Sequence, residues 1–372
     1  MLLVGDLMIG GSYIDYCRQR KQHLLSAFES TMEDFSNCDI LVSNLEAPIY
    51  SGTTKRQDVT SHLSNDQSVV SLLRKPPLSM CNLANNHMMD YGVSGLSKTL
   101  EILKDNGIHS FGAGLNEKKA LKESVIECKN VRIACIGLTT NEKNVNAVLA
   151  DSSNPGCSSF LEKDTVVNKI SQLKSRCDFV LVSIHWGHEY FRYPSNEQVI
   201  LGHDLIDAGA SVVIGHHPHL IQGFEKYKTG HIFYSLGNFF LPPVCASSGR
   251  FQPRKAGAGR FLMVRLEITA GRVESTQLIG GALNRAFRLQ KFSEMDNDRL
   301  IRKLTRISEP LMNSDYSSFW EQYRRIQKKR IILGDLLNVF RKLFSNSPIF
   351  LINSLSFSDI KRNLRRIASL IR

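Results

Sequence analysis

Apolar residues fall along the chain in two alternating kinds of run. Short, mostly aliphatic and β-branched stretches recur at Met1–Val4, Asp39–Ser43, Leu78–Cys81, Val131–Ile136, Phe179–Ile184, Val212–Ile214 and Ile232–Tyr234, each closed by glycine or polar residues. Runs this short, bounded in this way, read as buried strands. Between them Gln22–Phe35, Val93–Asn106, Leu161–Ser175 and Ser195–Ala208 space their apolar positions with the helical period. Strands alternating with helices predict a layered α/β domain. The segment Val244–Gly259, VCASSGRFQPRKAGAG, is rich in Ser, Gly and basic residues and predicts a loop. After it, RFLMVRLEITAGRVESTQLI alternates and turns at Ala270-Gly271, which predicts a hairpin closing the domain.

From about Asp296 the pattern becomes helical and basic: Asp315–Arg330, then IILGDLLNVFRKLF, then SFSDIKRNLRRIASLIR. On a helix Leu355, Ile360, Leu364, Ile367 and Leu370 share one side, with Lys361, Arg362, Arg365 and Arg366 around the flank. Such a helix either docks on the core with a solvated basic face or attaches to an anionic membrane surface or acidic polymer. Charge supports the division. Residues 284–372 hold 19 Lys and Arg against 8 Asp and Glu, so +11 of the formal net charge of +12 lies there and +1 in residues 1–283. The chain therefore divides into a domain over 1–283 and a basic, mainly helical segment over 284–372.

Composition narrows the class further. With 42% hydrophobic and 22% charged residues over 372 positions, the chain can bury a sizeable core and global disorder is excluded. Eight scattered cysteines without a CxxC pair predict reduced thiols. The start MLLVGDLMIGG lacks the basic and extended apolar parts of a signal peptide, and no segment reaches the ~18 apolar residues of a membrane span. The expectation is a cytoplasmic protein, with peripheral membrane contact through the basic segment as the alternative. Nucleic acid is disfavoured as a partner, because the basic residues interleave with apolar helix positions rather than aromatic stacking platforms.

Residues just past six of the seven predicted strands, all but Val131–Ile136, carry the candidate chemistry. Asp6 comes after the first; Asn44 and Glu46 after the second; Asn85, Asn86, His87 and Asp90, in NNHMMDYG, after the third. The strand at Phe179 leads to His185, His188 and Glu189 in HWGHEY, the next to His216, His217 and His219 in GHHPH, and Ile232–Tyr234 to Asn238 in GNF. Any one of these has a structural explanation, as a helix cap, a satisfied buried imidazole or a solvated loop residue. Gathered at one sheet edge, unpaired carboxylates and imidazoles would each cost several kcal/mol unless a cation collected them. Carboxylate, amide and imidazole donors suit Mn, Fe or Zn, and the lack of cysteine at these ends disfavours a thiolate site. In extended backbone His217 and His219 face the same side, so both are expected at metal, with His216 turned away into packing or a hydrogen bond.

The ordered set GD, NLE, NNHxxDxG, HWGxE, GHHPH and GNF resembles the capsule synthesis (poly-γ-glutamate, CapA-type) family of the calcineurin-like metallophosphoesterase superfamily, over roughly residues 1–283. The resemblance implies a four-layer αββα sandwich with one or two divalent metals at the sheet edge. It assigns Asp6 and His219 to the first metal, Glu46 to a bridging position, and Asn86, His185 and His217 to the second. His87 would be the acid that protonates a leaving oxygen, with Asp90 orienting its ring; Asn44, Asn85, Glu189, His216 and Asn238 would support the site or face substrate. Met8 stands where many phosphoesterases have a histidine, and Glu46 is one methylene longer than the usual aspartate. Two functions arise as expectations: metal-dependent hydrolysis of a phosphoester or a glutamyl amide, or a non-catalytic role binding an anionic polymer in capsule synthesis or export.

Overall fold

The computed structural model describes residues 1–344 apart from 54, 60, 141–144, 161 and 244–255. Most of the loop expected at Val244–Gly259 and the amphipathic helix expected at the C-terminus lie outside the described residues. By its contacts the chain forms two units, Met1–Met312 and Asn313–Arg372.

Two large sheets build the first unit, with a two-stranded one, Ala113–Gly114 and Gly156–Cys157, beside them in sequence. One runs in spatial order Leu289–Lys291, Arg272–Leu283, Arg260–Thr269, Leu2–Leu7, Ile40–Leu45, Leu78–Asn82 and His109–Phe111, with Asn238–Phe240 pairing beside Leu2–Leu7. The other runs Phe224–Tyr227, Gly230–Phe233, Val212–His216, Phe179–His185, Val131–Thr139 and Ser124–Cys128. The inner strands are parallel, so their C-terminal ends share one edge in each sheet.

Side-chain alternation sets the layers. Leu3, Val42 and Met80 point into an apolar cluster that also holds Leu181, Ile214 and Phe233 of the second sheet. Their neighbours Leu2, Leu41 and Cys81 point the other way, onto Phe28, Phe35, Leu72, Leu96 and Leu103 of the helical segments. Helices Lys163–Lys174 and Asn196–Asp207 pack on the second sheet. The result is the four-layer αββα sandwich. A capping box between Ser195 and Gln198 starts the second of those helices. The hairpin turns at Ala270-Gly271, both with positive φ (48° and 74°), as a tight two-residue turn requires. Beyond it, helix Glu294–Ser308 places Leu300, Leu304 and Ile307 in the inter-sheet cluster.

Two local expectations change. Gln22–Phe35 is not one helix but a 3₁₀ segment, Leu24–Thr31, followed by the short helix Met32–Ser36. Local side-chain bonds compete with an α-helix there: the His23 ring accepts from Leu25 N–H, and Thr31 donates to the Phe28 carbonyl. The helix Ser12–Arg20 precedes it and carries too few apolar residues to show a period. The strands also run further than their apolar cores, so that Asp6, Asn44, Asn82, His185 and His216 are strand residues rather than loop residues.

In the second unit the helix Tyr316–Phe344 includes the stretch Asp315–Arg330 expected to be helical, except its first residue. No helix of the described residues is long and apolar enough to cross a membrane.

Gly5 fixes how Leu2–Leu7 passes the backbone before Asn238. A Cβ there would lie 1.9 Å from the Gly237 oxygen, the atom that accepts from Asp6 N–H at 3.1 Å. Gly5→Ala is expected to cost about 2–3 kcal/mol of stability, read as a lowered melting temperature; an unchanged melting curve would contradict this packing.

Candidate metal centre

Register brings the polar strand ends together. Asp6 pairs with Asn44 and Asn44 with Asn82, while Asn238 pairs with Asp6 from the other side. In the second sheet His185 pairs with both Thr139 and His216. Paired residues in neighbouring strands point to the same face. Each row therefore presents its side chains as a line along the sheet edge. Asn82 was not among the residues singled out from sequence, because it lies at the end of an apolar run with no motif of its own.

Around the first carboxylate, Asn44 Nδ2 donates to Asp6 Oδ1 at 2.9 Å and also to Glu46 Oε2. Nδ1 of His216 and of His219 approach the two Asp6 oxygens at 3.3 Å each. His219 Nδ1 also lies 2.8 Å from Asn238 Oδ1. His216 does two things: Nε2 bonds Ser183 Oγ at 3.1 Å while the other ring edge faces Asp6. Asn85 Nδ2 donates to the Leu45 carbonyl at 2.8 Å and steadies the end of strand Ile40–Leu45.

A second group forms beside it. His185 Nε2 stands 2.9 Å from Asn86 Oδ1 and 3.1 Å from His217 Nδ1. Ligands about 2.1 Å from a six-coordinate ion sit about 3.0 Å apart, which is how far the Asn86 and His217 donors stand from His185 Nε2. Donor atoms of Asp6, Glu46 and His185 also lie within 4.8 Å of one another. The residues thus fit a divalent metal. Buried Asp6 Oδ2 and Glu46 Oε1 make no hydrogen bond, an arrangement a cation would relieve.

His217 and His219 reach the centre by a different backbone from the extended one expected. Their φ values are 93° and 57°, in the left-handed region that non-glycine residues enter at a cost. The chain folds around Pro218 and still brings the two rings within 6.0 Å of each other.

Burial and neighbours split the charge states. Burial raises the Asp6 carboxyl, but the two facing imidazoles outweigh it and hold it well below the usual range. Glu46 is pushed well above its range, by burial and then by the Asp6 charge. Burial, helped by His217, lowers His185 far below an ordinary imidazole. It takes His217, with His219 alongside, down to about 3. For His219 burial also works downward, yet the contact with Asp6 wins and lifts it to about 9. His185 and His217 therefore offer neutral donor nitrogens across the physiological range.

His87 and Asp90 stand next to this centre. Asp90 Oδ2 lies 2.8 Å from His87 Nδ1 and accepts from Leu63 N–H at 2.8 Å. Asn85 Oδ1 accepts from His87 N–H at 3.1 Å. The loop that supplies Leu63 is held by Arg56 N–H donating to the Asp90 carbonyl and by the His62 ring on the Arg56 carbonyl. No residue pattern signals this loop, since its contribution is backbone. Glu189 is exposed, and its negative charge acts on His219 and Glu46 from outside the buried cluster. His188 packs against Phe191. Met8 is fully buried in an apolar cluster with Ala47 and Leu63.

Comparison with known proteins places the chain in a family. The family described as bacterial capsule synthesis protein PGA_cap matches residues 1–242. The chain belongs to this family. The capsule biosynthesis protein CapA of Bacillus anthracis is 34% identical over 246 residues, 64% of this chain and 59% of that protein. PGA biosynthesis protein CapA of Bacillus subtilis is 32% identical over 272 residues, 71% of this chain and 70% of that protein. The matched region thus spans less than two thirds of the Bacillus anthracis relative. Among solved structures, a hypothetical protein from Thermus thermophilus aligns over 75% of this chain and 97% of its own, at 17% identity and a TM-score of 0.44. Haemophilus influenzae NAD nucleotidase aligns over 80% of this chain and 61% of its own, at 13% identity and a TM-score of 0.38. In this PGA_cap member the donor set at the strand ends suits a divalent metal.

A metal held there would compete with the proton on His219. With its folded pKa of about 9 above the ordinary 6.5, His219 gives the metal-free protein stability that is complete below pH 6.5 and lost as pH rises through about 9. The rise in melting temperature on adding Mn should therefore grow between pH 6.5 and 9. A shift that stays constant across that window would contradict the arrangement.

Proposed function

We propose that the chain is a divalent-metal-dependent hydrolase in the synthesis of a cell-surface acidic polymer, cleaving a phosphoester or a glutamyl amide. One observation carries the reading: two buried carboxylates and four imidazoles converge with unsatisfied donor atoms beside His87, which is partly exposed and held by buried Asp90. The names of the relatives, capsule and PGA biosynthesis proteins, supply the setting.

Asp6, Glu46, Asn86, His185, His217 and His219 would hold one or two ions, with Mn, Fe or Zn matching their oxygen and nitrogen donors. Bound there, the metal supplies positive charge that polarises a phosphoryl or carbonyl oxygen. Asn44 holds the Asp6 and Glu46 carboxylates in place through one amide nitrogen. His216, tied to Ser183, keeps Asp6 ionised from the other side. His87 donates a proton from Nε2 to the leaving oxygen or nitrogen, and Asp90 keeps the ring oriented by engaging Nδ1. Asp90 is itself fixed by Leu63 N–H, so the ring has little freedom to swing.

A second reading, a non-catalytic polymer-binding component, draws on Met8, which is packed among apolar side chains and leaves the first ion one donor fewer than many phosphoesterases have. The two readings part at His87. In the Mn-loaded protein, His87→Ala should lower kcat on a responsive phosphoester or glutamyl peptide by about 10²–10⁴ while metal content, measured by elemental analysis, is unchanged. Metal-loaded wild-type protein that turns over no member of either substrate class would contradict the hydrolase reading.

A further inference from the structure

The helix Tyr316–Phe344 of the second unit concentrates one sign of charge. Arg325, Lys328, Lys329 and Arg330 are all exposed and fall within six residues. Among the described side chains of this helix Glu321 is the one carboxylate, and it pairs with Arg324 at 2.8 Å. No ion pair joins the four exposed cations to another described residue. A solvated helix ordinarily alternates its charges, because like charges four residues apart, as Arg325 and Lys329 are, repel.

Aliphatic side chains stand among these cations. Ile326 is 45% and Leu333 57% exposed, and the seven residues between them are two turns, so both lie on one side of the helix. Lys329 and Arg330 fall to either side of the line that joins them. In the sequence Leu337, Phe340 and Phe344 carry the same spacing to the end of the helix, and SFSDIKRNLRRIASLIR, outside the described residues, repeats the combination of apolar and basic positions.

Three kinds of occupant could cover such a face, and the charges separate them. A second copy of the helix, packed along the same line, would set Lys329 and Arg330 against cations, with no exposed carboxylate among the described side chains to oppose them. A soluble acidic polymer would answer the cations and leave Ile326 and Leu333 in water. An anionic lipid surface answers both: headgroups neutralise the ammonium and guanidinium groups, whose stems run along the boundary, while the aliphatic side chains enter the acyl region. No helix of the described residues is long and apolar enough to cross a membrane, so the contact is one that lies along the surface.

We propose that residues 325–333 dock this protein on an anionic lipid surface, with Ile326 and Leu333 inserted and Arg325, Lys329 and Arg330 on phosphate headgroups. The inference goes beyond the hydrolase reading and does not depend on it.

The test uses the full chain and co-sedimentation at low salt with vesicles of phosphatidylcholine containing about a third phosphatidylglycerol, against phosphatidylcholine alone. The protein should sediment with the anionic vesicles and stay in solution with the neutral ones. Arg325→Gln/Lys329→Gln/Arg330→Gln should weaken the partition about a hundredfold. Ile326→Gln/Leu333→Gln, which keeps every charge, should weaken it about tenfold. Melting temperature should be unchanged in both. Lys118→Gln/Lys119→Gln/Lys122→Gln, at exposed lysines of the first unit, removes the same charge and should leave binding nearly unaltered. Equal losses in the two triple variants would reduce the effect to diffuse charge and overturn the docking. Full vesicle binding by Ile326→Gln/Leu333→Gln would overturn insertion into lipid. If that variant instead abolished a dimer seen in sedimentation velocity, or lowered the melting temperature, with its vesicle binding intact, the face would belong to a second copy or to the protein interior, and the lipid assignment would fall. Turnover plays no part in these readouts, so the hydrolase reading stands or falls separately.

Discussion

Two carboxylates buried side by side at the edge of one sheet are the constraint on which the rest of this structure turns. Asp6 and Glu46 are both excluded from water, and Asn44 donates to both from a single nitrogen. Left to themselves, two such groups would take up a proton or pull the edge apart. The second sheet answers with imidazoles. His216 and His219 face Asp6, and His185 stands across from Glu46 at 3.9 Å. The facing sheets are therefore held by their apolar interior and, at this edge, by polar groups that a cation would complete.

That arrangement depends on backbone register more than on loop geometry. Asp6, Asn44 and Asn82 form one row because three parallel strands are in step, and His185 and His216 form the other for the same reason. Loops add what strands cannot. The turn through His217, Pro218 and His219 uses left-handed backbone to aim two rings inward, and the loop carrying Leu63 fixes Asp90 through a backbone N–H. Strands with a packed interior tolerate little movement. The centre is thus preorganised where its donors lie on strands, and His87, partly exposed and next to a loop, is the group at this edge that reaches solvent.

Much of this was legible in the chain because strands and chemistry are written close together. All the apolar runs but Val131–Ile136 lead into a candidate polar donor, so the alternation that predicts a sheet also predicts which side chains meet at its edge. The four-layer fold, the donor set and the helices Gly92–Asp105, Lys163–Lys174 and Asn196–Asp207 follow from that pattern and from the family it resembles. What escaped depended on contacts between distant parts of the chain. Asn82 needs its pairing with Asn44 to acquire meaning; Ser183 becomes significant only when His216 reaches it. The break within Gln22–Phe35 comes from side chains bonding the local backbone, which apolar spacing does not report.

The central claim is that these strand ends form one metal centre. Crystals grown with Mn, measured on both sides of its absorption edge, test it most directly. An anomalous peak is predicted about 2.2 Å from His185 Nε2 and His217 Nδ1, with Asn86 Oδ1 completing that side. Absence of any peak within reach of these atoms at saturating Mn, with the imidazoles bonded to water or to one another instead, would contradict it.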